Sequence, residues 1–272
     1  TTRFVQYLNT IFGIPSTIMG YTEYGGVDKS TATTEYEFDR FTYGLNTELG
    51  DTVSVPWLYT SQSLTRTGFN DIVPNGIEFR FKAVYSSSNH DLTNYTPQTL
   101  LSNTSGFNLD LVYTSVGKSD SIYSGSKGNF GYLEFTLGAT TVTSSTIPIF
   151  ETGSNNDASW YNVLIQRQIP DVRFAQSGLS QTYNVYIKNN VWGEIGHVAS
   201  ASLTTTTQNL SWYNKGTLTL GDASTTGSFQ EFRLWSNYLS ESKFNFHVLN
   251  PESYESNYTS STYNDLTARF PL

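Results

Sequence analysis

The sequence predicts an all-β domain, built as a sandwich or a barrel. Aromatic residues make up 15% of the 272 residues and charged residues only 14%. This balance suits pleated, half-buried strands and argues against a disordered chain. Several short segments alternate apolar and polar residues with a period of two, and turn residues separate them. Because no long helical segments alternate with these strands, a parallel α/β sheet is disfavoured.

The first 20 residues form a segment unlike the rest. Between Thr2 and Gly13, apolar residues recur at the i, i+3, i+4 and i+7 spacing of an amphipathic helix, and Pro15 would prevent its continuation. The same residues also favour a strand, so helix and strand both stay open. We expect a sandwich at residues 21–249 and a linker or arm, leading to a following domain, at residues 250–272.

The clearest strand covers residues 76–85, where Ile77, Phe79 and Phe81 would face the core. Glu78 and Arg80 would then lie on the opposite face, in water. Weaker alternation predicts further strands, with a turn at Asn189 and Asn190 and a helical turn near the end. The further predicted strands are residues 34–42, 51–55, 107–113, 131–137, 161–167, 183–188, 217–220 and 229–235, and the helical turn is 240–249.

Charge and composition exclude several classes of function. The net charge is −8 and the 15 basic residues are scattered, which argues against nucleic-acid binding and against an anionic membrane surface. No apolar run reaches the ~20 residues that a membrane-spanning helix needs, so we expect no membrane insertion. The absence of cysteine excludes disulfides and thiolate metal sites, and favours a bacterial, viral or intracellular origin.

Three segments in the second half carry a family resemblance. They are W-Y-N-V-L-I-Q-R at 160–167, Y-N-V-Y-I-K-N-N-V-W-G at 183–193, and a closing segment at 218–244. In this order they resemble the concanavalin A-like, laminin-G-like superfamily of lectins and glucanases, over roughly residues 50–250. The resemblance implies a jelly-roll sandwich of two curved antiparallel sheets. The closing motif matches at Glu231, Phe232, Arg233, Leu234, Trp235, Leu239 and Ser240.

Residues 265–272, D-L-T-A-R-F-P-L, look like the opening strand of another such domain. Similar combinations occur in large virion structural proteins of tailed bacteriophages. We therefore expect a processed piece of a longer polypeptide, located in a virion or on an extracellular surface. Its partners would be glycans or other structural proteins of the same assembly, and homo-oligomerisation stays open. A purely architectural capsid, neck or tail protein without sugar binding is the first alternative.

The sequence contains no convincing catalytic constellation, so we expect a non-enzymatic protein. Glycosidases of this superfamily carry the pattern Glu-x-Asp-x-(x)-Glu on one strand. Here Glu35, Glu37 and Asp39 alternate, but Arg40, Phe41 and Thr42 follow, so the final acid of the pattern is missing. The histidines, including His247, lie in unrelated contexts without a zinc-binding pattern. A divergent glycoside hydrolase is the second alternative.

Two kinds of ligand site are predicted. No cofactor is certain, but Asn155, Asn156 and Asp157 offer the hard oxygens that calcium prefers, although an ordinary turn explains them better.

Sugar stacking requires an exposed aromatic ring with polar partners around it. Trp192, Trp212 and Tyr213 lie beside turns and polar segments and are the candidates, with structural packing as the favoured alternative for the two tryptophans. Trp160 and Trp235 are predicted to lie in the core, and Trp57 could be either.

Overall fold

The computed structural model describes residues 44–47, 50–57, 74–83, 97–104, 106–114, 130–149, 160–168, 181–191, 193–205, 210–213 and 216–272. The chain divides into two compact units, Thr1–Thr42 and Tyr43–Leu272, and every described residue belongs to the second. The predicted N-terminal helix or strand and the predicted strand at 34–42 lie outside the described residues.

The described part is a sandwich of two antiparallel sheets with seven strands each, which confirms the predicted fold class. In sheet A the order is β1-β13-β3-β9-β10-β11, and β14 also pairs with β13. Its strands are β1 (Leu45–Thr47), β3 (Gly76–Ala83), β9 (Tyr161–Gln168), β10 (Gln181–Val191), β11 (Glu194–Thr205), β13 (Gly227–Trp235) and β14 (Leu266–Phe270).

Sheet B has the order β2-β12-β4-β5-β6-β7, and β8 also pairs with β6. Its strands are β2 (Val53–Pro56), β4 (Gln98–Asn103), β5 (Phe107–Thr114), β6 (Phe130–Leu137), β7 (Thr140–Thr143), β8 (Ile147–Pro148) and β12 (Thr217–Leu220). Short helices lie outside the sheets: α1 (Leu210–Tyr213), α2 (Glu241–Leu249) and α3 (Thr262–Asp265), with a 3-10 turn at Thr259–Ser261.

The core lies between the sheets because each strand sends alternate side chains inward. Phe79 of sheet A and Phe135 of sheet B are fully buried members of this core. At one end of it Trp57, Phe107 and Trp212 form a cluster, with the rings of Phe107 and Trp212 stacked at a centroid distance of 4.9 Å. Such aromatic pairs add to the stabilisation that buried area provides.

The outer face of sheet A departs from the sequence prediction. Glu78 was expected in water but is 2% exposed, because α2 and the segment after it cover this face. Leu164, Trp235 and Phe244 form part of a second, smaller apolar core there. Ser240 caps the start of α2, since its side chain accepts a hydrogen bond from the backbone N–H of Lys243.

Two further expectations are corrected by the pairing. Residues 250–272, expected to be a linker or arm, return to the sandwich, where β14 pairs with β13 from Phe232 to Trp235. The turn expected at Asn189 and Asn190 is instead a register shift within the continuous pairing of β10 and β11. The connection falls later, where Gly193 adopts a φ of +83°, a conformation that glycine tolerates without strain.

Candidate functional site

The outer face of sheet B carries a continuous row of polar side chains. Each of its members lies directly opposite the next across antiparallel pairs, so that one row crosses six strands. Because side chains alternate along a strand, the row points away from the core. In order across the sheet it contains Ser54, Thr219, Ser102, Asn108, Thr136 and Thr141.

A second row on the same face brings carboxylates together. Asp110 of β5 lies opposite Thr99 on one side and opposite Glu134 of β6 on the other. The side-chain amide of Asn108 donates to Oδ2 of Asp110. Among the described residues, the buried Oδ1 of Asp110 has no hydrogen-bond partner. This oxygen can accept a hydrogen bond from a group outside the described residues.

The electrostatics of Asp110 follow from its neighbours. Burial raises the pKa of this carboxyl, and the nearby carboxylates of Glu134 and Asp222 add to the rise. Hydrogen bonds with Thr99 and Asn108 oppose it, but the net direction is upward. A carboxyl with a raised pKa loses its proton less readily, so Asp110 can donate a hydrogen bond up to a higher pH than an exposed aspartate can.

Asp222 lies at the rim of this face, in the turn after β12. The Thr225 hydroxyl of the same turn donates to the backbone oxygen of Thr99 at 2.7 Å, which anchors the turn to β4. Burial acts to raise the pKa of Asp222, but hydrogen bonds from Ser224 and Thr225 outweigh it, and the pKa is lowered. Asp222 is therefore a fixed negative charge beside Asp110.

One end of the face is apolar. Tyr132 of β6 lies opposite Val112 of β5, two residues along each strand from the carboxylate pair. The side chain of Tyr132 is partly exposed, whereas Val112 and Phe130 are nearly buried. A phenol ring thus borders the hydroxyl, amide and carboxylate groups of the two polar rows.

The outer face of sheet A contains a network of buried charges. Arg233 donates to Glu78 at 2.9 Å and to Glu231 at 2.8 Å, and all three side chains are almost completely buried. Arg269 of β14 reaches the same Glu231 at 2.7 Å. Glu231 lies at the register shift of β13 with a φ of +51°, an uncommon conformation for a non-glycine residue. The shift turns its side chain toward both arginines.

His247 completes this network from α2. Its Nδ1 lies 3.0 Å from a carboxylate oxygen of Glu78, and its Nε2 lies 2.9 Å from the backbone oxygen of Glu255. Each ring nitrogen of His247 therefore lies beside an oxygen that can accept a hydrogen bond from it. Burial acts to raise the pKa of Glu78, but Arg233, His247 and the indole N–H of Trp235 outweigh it and lower the pKa to about 2.

The geometry of this buried network indicates a structural role. His247 is fully buried, and its two nitrogens are occupied by Glu78 and Glu255, so no substrate can reach the ring. The network joins four parts of the fold: β3, β13, α2 and the C-terminal segment that contains Arg269. This network therefore offers no accessible group to a ligand.

The structure places Trp212 in the core. Its side chain is 0% exposed, and its indole nitrogen donates to the backbone oxygen of Pro74 at 3.0 Å. The ring offers no face to a ligand, so its role is packing, and the assignment of Trp212 to sugar stacking is corrected. Tyr213 lies in the same short helix, but its side chain lies outside the described residues.

The other tryptophans differ from one another. Trp235 is fully buried, as predicted, and Trp57 is also a core residue. Trp160 is only partly buried, and the guanidinium of Arg80 lies over its ring at 5.1 Å from the centroid. Trp192 lies outside the described residues, so sugar stacking by this residue stays a prediction.

The predicted calcium loop, Asn155, Asn156 and Asp157, also lies outside the described residues, as do the acids Glu35, Glu37 and Asp39. Calcium binding therefore stays a prediction. Within the described ranges, no group of three His, Cys, Asp or Glu side chains is arranged to hold a metal ion.

Sequence reasoning missed the polar face, although one signal for it was present. The strand predicted at 107–113 reads F-N-L-D-L-V-Y, and its alternation already points Asn108 and Asp110 away from the core. The pairing with Glu134 was not foreseeable, because it depends on the register between two strands that no sequence motif fixes.

Comparison with protein-family models and with curated proteins gives no match. No helix within the described part of the chain is long and apolar enough to cross a membrane.

Proposed function

We propose that this chain is a non-enzymatic recognition module of a larger virion or cell-surface protein, and that it binds carbohydrate through the outer face of sheet B. The observation that carries the proposal is the pair of polar rows beside Tyr132, with an unpaired carboxylate oxygen of Asp110 among the described residues. The resemblance to the concanavalin A-like superfamily supports the same function.

The chemistry of the face suits a sugar. A pyranose has hydroxyl groups that donate and accept hydrogen bonds, and a C–H face that packs on an aromatic ring. Asn108 and Asp110 supply an amide and a carboxylate, and Tyr132 supplies a partly exposed ring two residues away in register. Strand-borne groups are fixed by the sheet, which reduces the ordering cost on binding.

The charge of the face selects the class of glycan. The described strands of sheet B contain no Lys, Arg or His, while Asp110 and Glu134 lie on the face and Asp222 lies at its rim. An anionic sugar would be repelled by these groups and would find no cation on the strands. We therefore expect a neutral glycan in preference to a uronic-acid or sialic-acid polymer.

A purely architectural role has one specific observation in its favour. The large exposed apolar side chains of the described residues concentrate in α2 and the segment after it: Phe246, Tyr254, Tyr258 and Tyr263, the last with 93% exposure. Exposed aromatic residues of this kind are enriched in protein interfaces. Contacts with other structural proteins of the same assembly would use this surface and would leave sheet B free.

A divergent glycoside hydrolase is favoured by the carboxylate pair. Directly opposite residues in an antiparallel pair have Cβ atoms about 5 Å apart, and retaining glycosidases hold their two carboxyl groups at about the same separation. Asp110 and Glu134 satisfy the pairing, and the raised pKa of Asp110 suits a proton donor. Hydrolysis must therefore be measured together with binding.

The experiment is a glycan-array screen of residues 1–272, with calcium and with a chelator. We expect binding to neutral glycans that is lost in Tyr132→Ala and kept in Ser202→Ala, an exposed position on β11 of the other sheet. Loss of binding in chelator alone would show that calcium takes part.

Two other outcomes would replace carbohydrate recognition by a different function. Absence of binding in both conditions would favour the architectural role, and the search would turn to protein partners. Release of reducing ends from a bound polysaccharide, abolished in Asp110→Asn and in Glu134→Gln, would make the protein a hydrolase.

A further inference from the structure

A buried lysine lies under helix α2. Lys188 of β10 points to the outer face of sheet A, where it lies opposite Asn162 of β9 and Val198 of β11. Its side chain is only 3% exposed. Lysines are almost never buried to this extent unless the amine has specific partners.

Two side chains of α2 meet this amine. Nζ of Lys188 lies 2.6 Å from Oε1 of Glu241 and 2.8 Å from Oδ1 of Asn245. Residues four apart in a helix lie on the same face, so Glu241 and Asn245 approach Lys188 together. The amine of Lys188 thus contacts a carboxylate and a carboxamide at the same time.

The reacting atoms are already close. Because the Asn245 carboxamide carbon is bonded to Oδ1 at about 1.2 Å, the amine is at most about 4 Å from that carbon. Reacting atoms in a near-attack arrangement are about 3–3.5 Å apart, so a small side-chain adjustment suffices.

Aromatic rings shield the amine from water. The ring centroids of Tyr186 and Phe244 lie 5.9 Å and 5.8 Å from Nζ of Lys188. Exclusion of water protects a reactive amine and strengthens its interaction with the carboxylate. Glu241, by contrast, is 64% exposed at its side chain, so protons can pass from it to solvent.

We propose that Lys188 and Asn245 form an intramolecular isopeptide bond, with Glu241 as the proton-transfer group. Glu241 accepts a proton from the ammonium, and the lone pair of Nζ forms a bond to the carboxamide carbon of Asn245. Glu241 then gives this first proton to Nδ2 of Asn245 and accepts a second proton from Nζ, which it releases to solvent. The bond between the carbon and Nδ2 then breaks, and ammonia leaves. The products are a secondary amide and ammonia, and no atom is oxidised or reduced.

The bond would tie α2 to β10 of sheet A across a separation of 57 residues. It would fix the helix that covers Glu78 and that carries His247. Closing a long loop covalently restricts the unfolded chain, as a disulfide does, and this chain contains no cysteine that could form one.

The test is the intact mass of the denatured wild-type protein. We expect a mass lower than that of the sequence by one molecule of ammonia. Trypsin should fail to cleave after Lys188, because its amine is acylated, and should release fragment 174–215 joined to fragment 244–269. The wild-type measurement needs no variant that has to fold.

Variants then identify the side chains that form the bond. Lys188→Arg keeps the positive charge beside Glu241 but lacks the amine, and Asn245→Ala lacks the carboxamide, so both should show the full sequence mass. Lys243→Arg alters the neighbouring Lys243–Glu255 ion pair, at 3.2 Å, and should keep the loss of ammonia. Glu241→Gln should show the full mass when freshly purified.

Several results would overturn the proposal. A wild-type protein at its full sequence mass, with fragments cleaved normally after Lys188, would exclude the bond. A loss of ammonia that persists in Lys188→Arg would come from another asparagine. A loss of water in place of ammonia would move the bond to a carboxylate and exclude Asn245. Unchanged bond formation in Glu241→Gln would exclude the role of Glu241.

Discussion

Replacing Glu78 by glutamine removes the charge at the centre of the buried network. The carboxylate of Glu78 accepts hydrogen bonds from Arg233 at 2.9 Å, from Trp235 at 2.8 Å and from His247 at 3.0 Å. Glutamine is similar in size but neutral, so the buried Arg233 loses one of its two carboxylate partners and keeps only Glu231. Removal of one partner from a buried ion pair costs about 3–5 kcal/mol.

The pKa of Glu78 gives a second estimate of the same quantity. It falls from 4.5 to about 2, and each tenfold change in proton affinity corresponds to about 1.4 kcal/mol. The ionised carboxylate therefore stabilises the fold by about 3 kcal/mol relative to its protonated form. For a domain of this size, Glu78→Gln should lower the unfolding temperature by about 6–12 °C at neutral pH.

The pH dependence has a definite sign. Because the pKa of Glu78 is depressed in the folded state, its contribution is complete above pH 4.5, the unfolded value, and is lost as the pH falls toward about 2. The difference in the free energy of unfolding between wild type and Glu78→Gln should therefore narrow over this range. Urea unfolding at a series of pH values measures it.

The matched control is Glu194→Gln, a carboxylate exposed on β11, which should change the free energy of unfolding by less than about 0.5 kcal/mol. The reasoning is refuted if Glu78→Gln is as mild as this control. A difference that stays constant between pH 5 and 2 would also refute it, since it would then not depend on the charge of Glu78.

Two further predictions concern the core and the C-terminal segment. Trp212→Ala should cost about 3–5 kcal/mol in urea unfolding, because a fully buried indole is removed beside Phe107; a cost below about 1 kcal/mol would contradict the packing role. Arg269→Met removes hydrogen bonds to Glu231 at 2.7 and 2.8 Å and should cost about 2 kcal/mol. Limited proteolysis should then cut within residues 250–265 sooner than in wild type, and unchanged cleavage would contradict the anchoring by Arg269.

The strands with clear alternation were predictable, and the others were not, for physical reasons. The strand with Glu78 alternates strictly, and the structure confirms its bounds within two residues. In β4, a register shift puts Leu100 and Leu101 both in the core, which destroys the alternation that a sequence pattern needs. In β11, most residues are small or polar and half of the strand is exposed, so no apolar period marks it.

The burial of the charges could not be read from the sequence. A period-two pattern shows that Glu78 faces away from the core between the sheets, but it does not show that α2 covers that outer face. Arg233 belonged to the segment that resembles the superfamily, yet its partner Glu78 lies 155 residues away. Arg269, which binds the same Glu231 as Arg233, lies 38 residues after Glu231. Contacts between residues so far apart in the sequence depend on the completed topology of the fold.

The same limit applies to the candidate site. The strand prediction gave the outward direction of Asn108 and Asp110, whereas the sugar-binding candidates were chosen because tryptophan suits stacking. Trp212 fails on burial, since a helix of four residues carries it into the core. Turn context alone does not distinguish an exposed aromatic residue from one that closes the end of a sandwich.

The most direct test is titration calorimetry of a neutral oligosaccharide, selected on the array, against wild type, Tyr132→Ala and Ser202→Ala. Carbohydrate recognition by the outer face of sheet B predicts equal affinity for wild type and Ser202→Ala. It predicts at least about tenfold weaker binding for Tyr132→Ala, equivalent to about 1.4 kcal/mol. Equal affinity for all three proteins would place the binding site elsewhere and contradict the assignment of this face.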